Sequence, residues 1–331
     1  MEAKIEDIGV ILPEAEELTR PAVDEAKVYE LVIIGGGPAG LTAAVYSARK
    51  RIDTLLVTKD IGGQVLLTSD VENYMGYYYI TGKELIEKFK HQVRQYPIAI
   101  KENAEVIRIG KEDKTFTVET SGGGSYRTKA VIIASGKRSR PLNVKGEKEL
   151  VGRGVTYCSV CDAPLFTGLD VTVIGGGNSG LTAVVDLVKI ANKIYLIESL
   201  SSLKADPLLV ERADRSGKVE KFLGYEVMEI LGETRVSGIK IKSTQTGEIQ
   251  TLAVQGVFIE IGLIPNSGFA KGVVELNGWG EIVVDCACRT NVPGIFAAGD
   301  VTTVPEKQIV VAAGEGAKAA LSAYGYLLGE S

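Results

Sequence analysis

The chain of 331 residues is 45% hydrophobic and 24% charged, with a formal net charge of −5; this is the balance of a globular protein long enough for about two domains, and it gives no reason to expect nucleic-acid binding. No apolar stretch reaches the ~18 uninterrupted residues of a membrane span, because Glu260 breaks VFIEIGLI and Glu315 and Lys318 break the C-terminal run. The N-terminus, MEAKIEDIG, is acidic where a secretory signal is basic, so a cytoplasmic enzyme is the expectation.

Residues 1–26 are rich in Glu, carry Pro13 and Pro21, and read as a polar extension. From Leu31 to Thr58 an apolar run, LVII, enters GGGPAG; an Ala- and Val-rich amphipathic stretch follows, and TLLV closes a strand, tight turn, helix and strand. Next come a GGQ loop (Gly62, Gly63, Gln64), a tyrosine-rich stretch (Tyr74, Tyr77, Tyr78, Tyr79) and a helical pattern from Gly82 to about Tyr96. Two alternating strands, EVIRIG and TFTVETS, then turn through GGGS into YRTKAVIIASG. A new unit opens near Pro141 with Cys158-Ser-Val-Cys161-Asp162, and from Val171 to Glu198 it repeats the first pattern ungapped, 140 residues on, as VTVI, GGGNSG and IYLI. A short meander (VSGIKIKST, GEIQTLAV) carries it to Pro265, after which VPGIFAAGD (Val292 to Asp300) and a helical pattern from about Lys307 to Leu328 finish the chain. The middle unit is expected to be an insert within a unit whose two pieces flank it.

The repeated glycines have separable tasks. Gly35 and Gly175 make the turn, Gly37 and Gly177 let the backbone approach a pyrophosphate, and Gly40 and Gly180 let helix pack on strand. One such motif is weak evidence, since glycine turns serve many strand-helix connections for steric reasons; two in full context indicate two dinucleotide sites. At the register position where an acid binds ribose hydroxyls, the first copy has Thr58, which leaves that task to neighbours such as Lys59 or Asp60. The second copy has Glu198, which suits the 2′-hydroxyl of NADH and would repel a 2′-phosphate.

Four cysteines in a chain of this length do not make a disulfide scaffold. In Cys158-x-x-Cys161 two sulfurs can reach disulfide geometry within one turn, and the motif lowers one thiol's pKa. Asp162 adds a carboxyl that can protonate a leaving thiolate or take a proton from an attacking thiol. Alone, the motif is as often half a metal site; a zinc site needs further ligands, however, and Cys286 and Cys288 lie far along the chain. Beside two dinucleotide folds the redox reading is preferred, and no metal is expected. Cys286 and Cys288 fall in the alternating EIVVDCACRT, which predicts a strand with both thiols on one face, too far apart for an unstrained disulfide, and hence core thiols, with a second redox pair as the alternative. The single histidine, His91, is predicted on the surface or half-buried, and the tyrosine cluster as packing near a cofactor or a subunit contact.

From Leu31 to the C-terminus the chain resembles the low-molecular-weight thioredoxin reductases, through GGGPAG, GGQ, VENY, the ASG at Ala134 to Gly136, CSVCD, GGGNSG, GLIPN and GIFAAGDVTT. Among relatives it is most similar to the flavoprotein subunit of alkyl hydroperoxide reductase, through GGQVL, CDAPLF, GGGNSG, LKAD and VPEKQIVVAAGEGAKA. That flavoprotein carries an N-terminal pair of thioredoxin-like folds, for which the 26-residue extension is too short.

The resemblance implies an α/β chain of two Rossmann-like three-layer domains: an FAD-binding domain made of residues 27–140 and 266–331, and an NAD(P)H-binding domain, residues 141–265, inserted in it and carrying the Cys-x-x-Cys. It implies FAD contacts from Gly35, Gly37, Pro38, Ala39, Gly40, Gly63, Gln64, Asn73, Gly136, Gly299, Asp300, Gln308 and Ile309, and dinucleotide contacts in the insert from Gly175, Gly177, Asn178, Ser179, Gly180 and Glu198. Cys161 is then the sulfur facing the flavin, Cys158 the one that attacks a partner, and Asp162 the acid and base. Electrons pass from the nicotinamide through FAD and the Cys158–Cys161 disulfide to thioredoxin or a glutaredoxin-like protein, by way of a mixed disulfide, in a homodimer. NADPH-using relatives present a His-Arg-Arg run and a further Arg where this chain has Glu198, Ser199, Leu200 and Lys204, so NADH is the expected donor. Two rival readings are an NADH-driven reductase dedicated to a peroxiredoxin system and a flavin redox sensor without turnover; Asp162 and the second fingerprint argue against the sensor. Because the disulfide and the nicotinamide must both reach one flavin, the insert is expected to rotate on connections near Arg138 to Pro141 and Pro265 to Gly268.

Overall fold

The computed structural model describes residues 20–67 and 70–329, so most of the N-terminal extension lies outside the described residues. β1 (Val28–Gly36) buries both faces, as its run Leu31 to Ile34 requires, and opens through Gly37 into α1 (Pro38–Arg49), with Pro38 in the first turn. β2 (Thr54–Ile61) lies parallel to β1, with Leu31 opposite Thr54. β3 (Asp70–Val71) and β4 (Ile80–Thr81) form a small ribbon ahead of α2 (Gly82–Arg94), whose start is set by a capping box between Thr81 and Glu84. Tyr74 packs edge-on against Phe89 of that helix, while Tyr78 is 98% exposed and His91 is exposed. β5 (Ala99–Lys101), β6 (Val106–Glu112), β7 (Thr115–Thr120) and β8 (Ser125–Ile133) complete a sheet of order β5-β2-β1-β8-β7-β6.

The chain then leaves this sheet through β9 (Lys137–Ser139). It runs on through β10 (Val155–Thr156), the short α3 (Ser159–Asp162), β11 (Asp170–Ile174), α4 (Asn178–Val188), β12 (Lys193–Glu198), α5 (Pro207–Arg215) and β13 (Val219–Leu223). β14 (Tyr225–Gly232), β15 (Val236–Ser243) and β16 (Ile249–Leu252) make an antiparallel meander, and β17 (Gly256–Ile259) joins a second parallel sheet of order β10-β17-β11-β12-β13. β18 (Leu263–Pro265) runs antiparallel beside β9, so the outgoing and returning chains cross as one two-stranded ribbon. β19 (Ile295–Ala297) rejoins the first sheet beside β8, and α6 (Ile309–Leu328) packs on α1, where a Cβ on Gly316 would overlap the backbone of Ala39. Among the described residues no helix is long and apolar enough to cross a membrane.

The Cys286 to Cys288 segment is not the strand that its alternation predicts. The Asp285 carboxylate accepts the N–H groups of Ala287 (2.9 Å) and Arg289 (2.8 Å), which folds the chain into a turn with Cys288 at φ 62°. Cys286 is exposed; Cys288 is buried, its Sγ 3.6 Å from the Glu315 carbonyl. A local carboxylate-to-backbone pairing outweighs the period-two pattern here.

Candidate active site

The two glycine fingerprints fold alike because the same steric demands recur. Gly35 (φ 112°) and Gly175 (φ 120°) hold a backbone conformation that favours glycine, and a Cβ on either would overlap the carbonyl of Ala134 or of Glu260. A Cβ on Gly40 or Gly180 would overlap the carbonyl of Gly35 or Gly175. Gly37 and Gly177 differ: nothing stands within 4 Å of where their Cβ would be, which leaves the N-termini of α1 and α4 open to an anion.

A cavity of about 1890 Å³ is lined from both halves of the chain. Gly35, Gly37, Pro38, Ala39, Gly63, Gln64, Asn73 and Gly136 come from the first part, Gly299, Asp300, Gln308 and Ile309 from the last, and Cys158, Asp162 and Ser179 from the middle. Gly40 sits beneath the turn instead, and Gly175, Gly177, Asn178, Gly180 and Glu198 do not line this cavity. Asn73 donates to the Gln308 side chain at 3.2 Å, joining segments from opposite ends of the sequence. The Thr58 hydroxyl donates to the Asp60 carbonyl, while the Asp60 carboxylate accepts the Gly63 N–H at 3.1 Å and so holds the GGQ loop. Lys59 pairs with Glu105 at 3.3 Å, and both Lys59 and Asp60 face the cavity. Burial pushes the Asp300 carboxyl above the ordinary carboxylate range, with Lys307 and Lys137 acting the other way. An open anion approach at α1, a deep cavity and a buried carboxyl lining it fit a cofactor the size of FAD.

Cys158 is half-buried and disulfide-bonded. Its N–H donates to Thr156 Oγ1 at 3.1 Å, that hydroxyl donates to Asp162 Oδ2, and the Asp162 N–H returns to the Cys158 carbonyl at 3.1 Å. Asp162 is 5% exposed. Cys161 belongs to α3, and its side chain lies outside the described residues. Next to Cys158, the Tyr157 hydroxyl donates at 2.8 Å to the fully buried Glu147, which also accepts the N–H groups of Leu142 and Asn143 at 2.8 and 2.7 Å. Burial, and then that carboxylate, raise the Tyr157 hydroxyl far above its ordinary value, so it stays protonated as a donor.

Glu198 ends β12 beside the second fingerprint. Its carboxylate accepts the N–H groups of Gly176 (2.6 Å) and Leu200 (2.8 Å) and the Ser199 hydroxyl (3.1 Å). It is therefore a built-in acceptor rather than an acid merely solvated at a strand end. Asn178 accepts the Asp206 N–H at 2.7 Å, which ties the LKAD segment to the start of α4.

Several residues of this site carry no sequence motif. Glu315, 5% exposed, accepts the Gly299 N–H at 2.8 Å, and Glu260 lines the cavity between Ser159 and Ser179. Both interrupt apolar runs, and a carboxylate inside a core-forming run is costly unless it has partners; that interruption was the available signal. Lys137, 9% exposed, pairs with Glu281, which also meets Lys307 at 3.5 Å and accepts from Asn277 at 2.7 Å. Nothing in the sequence marks this pair or Thr156.

A dinucleotide fold opening into a cavity that a disulfide-bonded cysteine beside a second dinucleotide fold also lines defines a dinucleotide-dependent disulfide oxidoreductase. Residues 29–316 match the pyridine nucleotide-disulphide oxidoreductase family, and the chain belongs to it. Membership implies FAD and a pyridine nucleotide. The chain is 42% identical over 326 residues to the F subunit of alkyl hydroperoxide reductase from Pseudomonas putida; the match covers 98% of this chain and 63% of that protein, so the chain spans less than two thirds of the relative's length. Among solved structures, the thioredoxin reductase from Streptococcus pyogenes MGAS5005 superposes with a TM-score of 0.85 at 37% identity, covering 91% of this chain and 99% of that one. Lactococcus lactis thioredoxin reductase in its FR conformation gives 0.65 at 35% identity, with the same coverage.

Proposed function

We propose that the chain is a thioredoxin reductase-type enzyme that takes electrons from NADH, through FAD and a Cys158–Cys161 disulfide, to the disulfide of thioredoxin or a glutaredoxin-like protein. The observation that carries this reading is the disulfide-bonded Cys158 in the wall of the cavity into which the first fingerprint opens. In it, residues 27–140 and 266–331 hold FAD at the cavity residues named above, and the insert 141–265 holds NADH at Gly175, Gly177, Asn178, Ser179 and Gly180, with Glu198 at the ribose. FAD, when bound, supplies the two-electron relay between nicotinamide and disulfide.

Once the pair is reduced, the Cys158 thiolate attacks one sulfur of the partner disulfide, and the other partner sulfur leaves as a thiolate. Cys161 then attacks the Cys158 sulfur, which restores the internal disulfide and releases the partner as a dithiol. Asp162 handles the protons, giving one to the leaving thiolate and taking one from the attacking thiol. The Thr156 hydroxyl holds that carboxyl while accepting the Cys158 N–H, so acid and nucleophile share one support. The enzyme acts as a cytoplasmic homodimer in this reading. A second reading, an NADH-driven reductase dedicated to a peroxiredoxin, draws support from the likeness to the alkyl hydroperoxide reductase of Pseudomonas putida.

Steady-state NADH oxidation that depends on a small disulfide, and is lost in Cys158→Ser and in Cys161→Ser, is the expected result. Oxidation that continues without either cysteine would overturn the reading, and no turnover at all in the wild type would leave the sensor. Cys161→Ser should also retain its natural partner on Cys158 as a mixed disulfide, and whether that partner is thioredoxin-like or a peroxiredoxin separates the two enzyme readings.

A further inference from the structure

The end of β17 carries a carboxylate for which the chemistry above has no use. Glu260 follows Ile259, the partner of Ile174 at the end of β11; its N–H donates to the Ile174 carbonyl at 2.8 Å, and its own carbonyl lies against Gly175. It stands at the carboxyl edge of the second sheet, beside the fingerprint turn, where open α/β sheets bind their ligands. Its side chain meets both functional motifs. Oε1 accepts the N–H of Ser159, the residue after Cys158, at 3.3 Å, and Oε2 accepts the hydroxyl of Ser179 in the first turn of α4. Burial raises this carboxyl above the ordinary range, the bonds from Ser179 and Ser159 act the other way, and Asp186 of α4 adds to the rise. This half-buried carboxyl depends on the two bonds, and loss of either is felt at the other.

We propose that Glu260 is a positioning residue that couples the dinucleotide site to the redox state of Cys158, because one carboxyl holds both Ser159 and Ser179. This rests on the assignment of NADH to the second fingerprint and of thiol exchange to Cys158. A pyrophosphate at the N-terminus of α4 competes with Glu260 for the Ser179 hydroxyl. In the disulfide form the cross-link fixes the Cys158–Ser159 peptide, so the carboxyl cannot shift with Ser159, and yielding Ser179 costs a hydrogen bond. In the dithiol form that peptide is released and the carboxyl relaxes with it, so the cost falls. The dinucleotide therefore binds the dithiol form more tightly, and by reciprocity its binding favours reduction of the disulfide by the same factor.

ADP-ribose is a suitable probe, since it carries the pyrophosphate but no nicotinamide and cannot exchange electrons. It is titrated calorimetrically into the FAD-loaded enzyme as the disulfide and after reduction by a phosphine. The wild type should bind it about fivefold more tightly as the dithiol, the equivalent of one ordinary hydrogen bond. That ratio should fall to near one in Glu260→Ala and in Ser179→Ala, and also in Glu260→Gln, whose amide can still accept from Ser159 but donates to Ser179 and so frees that hydroxyl for the pyrophosphate. A residue that only supports the fold would move both affinities alike and leave the ratio intact. A ratio near one in the wild type, or a wild-type ratio in any of the three variants, overturns the coupling. Failure of ADP-ribose to bind either form overturns the dinucleotide assignment, and the coupling with it. Ser179 is exposed, so its variant keeps the test open if Glu260→Ala does not fold.

Discussion

Thr58 and Glu198 hold the same register position in the two fingerprints and behave differently. The Thr58 hydroxyl turns to the Asp60 carbonyl, whereas the Glu198 carboxylate is held by three donors at the edge of the second sheet. A carboxylate so held accepts from a ribose 2′-hydroxyl and repels a 2′-phosphate. We expect kcat/KM for NADH at least about tenfold above that for NADPH, a difference of about 1.4 kcal/mol. Kinetics with both donors check this; Glu198→Arg combined with Ser199→Arg should narrow or invert the gap, and equal use by the wild type would count against it. Cys288 gives a second test. Burial, and then the charge of Glu315, push its thiol up from 9.0 to about 11. The unfolded chain loses this proton first, so the stability present below about pH 9 falls as the pH rises toward 11. Alkaline unfolding of Cys288→Ala should show a shallower loss over that window than the wild type. At neutral pH a thiol reagent should label Cys286 in the native protein and spare Cys288 until the chain unfolds.

At the scale of elements, the β9–β18 ribbon is the part that links the two sheets. Its end nearer the first sheet is fastened: Ser135 Oγ donates to the Asn266 carbonyl at 2.7 Å, Asn266 Nδ2 to the Ser135 carbonyl at 2.9 Å, and Arg138 to the Asn266 side chain at 2.6 Å. Ser267 donates to the Gly280 carbonyl, and Lys137 of β9 is paired with Glu281. Pro265 to Gly268 is thus a clasp, not the flexible stretch expected of it. The other end is looser: the Arg140 N–H meets the Gly262 carbonyl at 3.0 Å, and Gly262 sits at φ 101° with open space around its Cβ position. Replacing Glu281 by Ala would leave Lys137 and Lys307 near each other, poorly hydrated and without their shared carboxylate. A loss of about 3 kcal/mol in denaturant unfolding is expected; unchanged stability would show that the clasp contributes nothing.

For the whole molecule, the geometry poses a problem of access. Cys158 and Ser179 both line the cavity, and the disulfide and the nicotinamide must each reach the one flavin. We expect the insert to rotate about the ribbon, one orientation serving the disulfide and the other NADH. Hinge motions of this kind take microseconds to milliseconds. A cross-link tying the insert to the flanking domain should permit at most one half-reaction and block multiple turnover. Full turnover in a demonstrably cross-linked enzyme would rule the rotation out.

The features legible in the order of residues were local: two fingerprints whose glycines answer to contacts a few residues away, the helix started by Thr81 and Glu84, and the Cys158 to Asp162 motif. Steric demands within one strand-turn-helix leave a readable spacing, because each glycine is required by its own backbone and nearest carbonyl. Even locally the pattern failed once, at Asp285, where a side chain competing for backbone N–H groups overrode alternation. It took the packed fold to establish that Glu260 spans the Cys158 and α4 segments, that Glu315 caps Gly299, and that Lys137 finds Glu281. Those partners lie far apart in the chain, and a carboxylate that breaks an apolar run announces that it needs a partner without saying which. The choice among distant partners is made when the two sheets pack, and no local spacing records it.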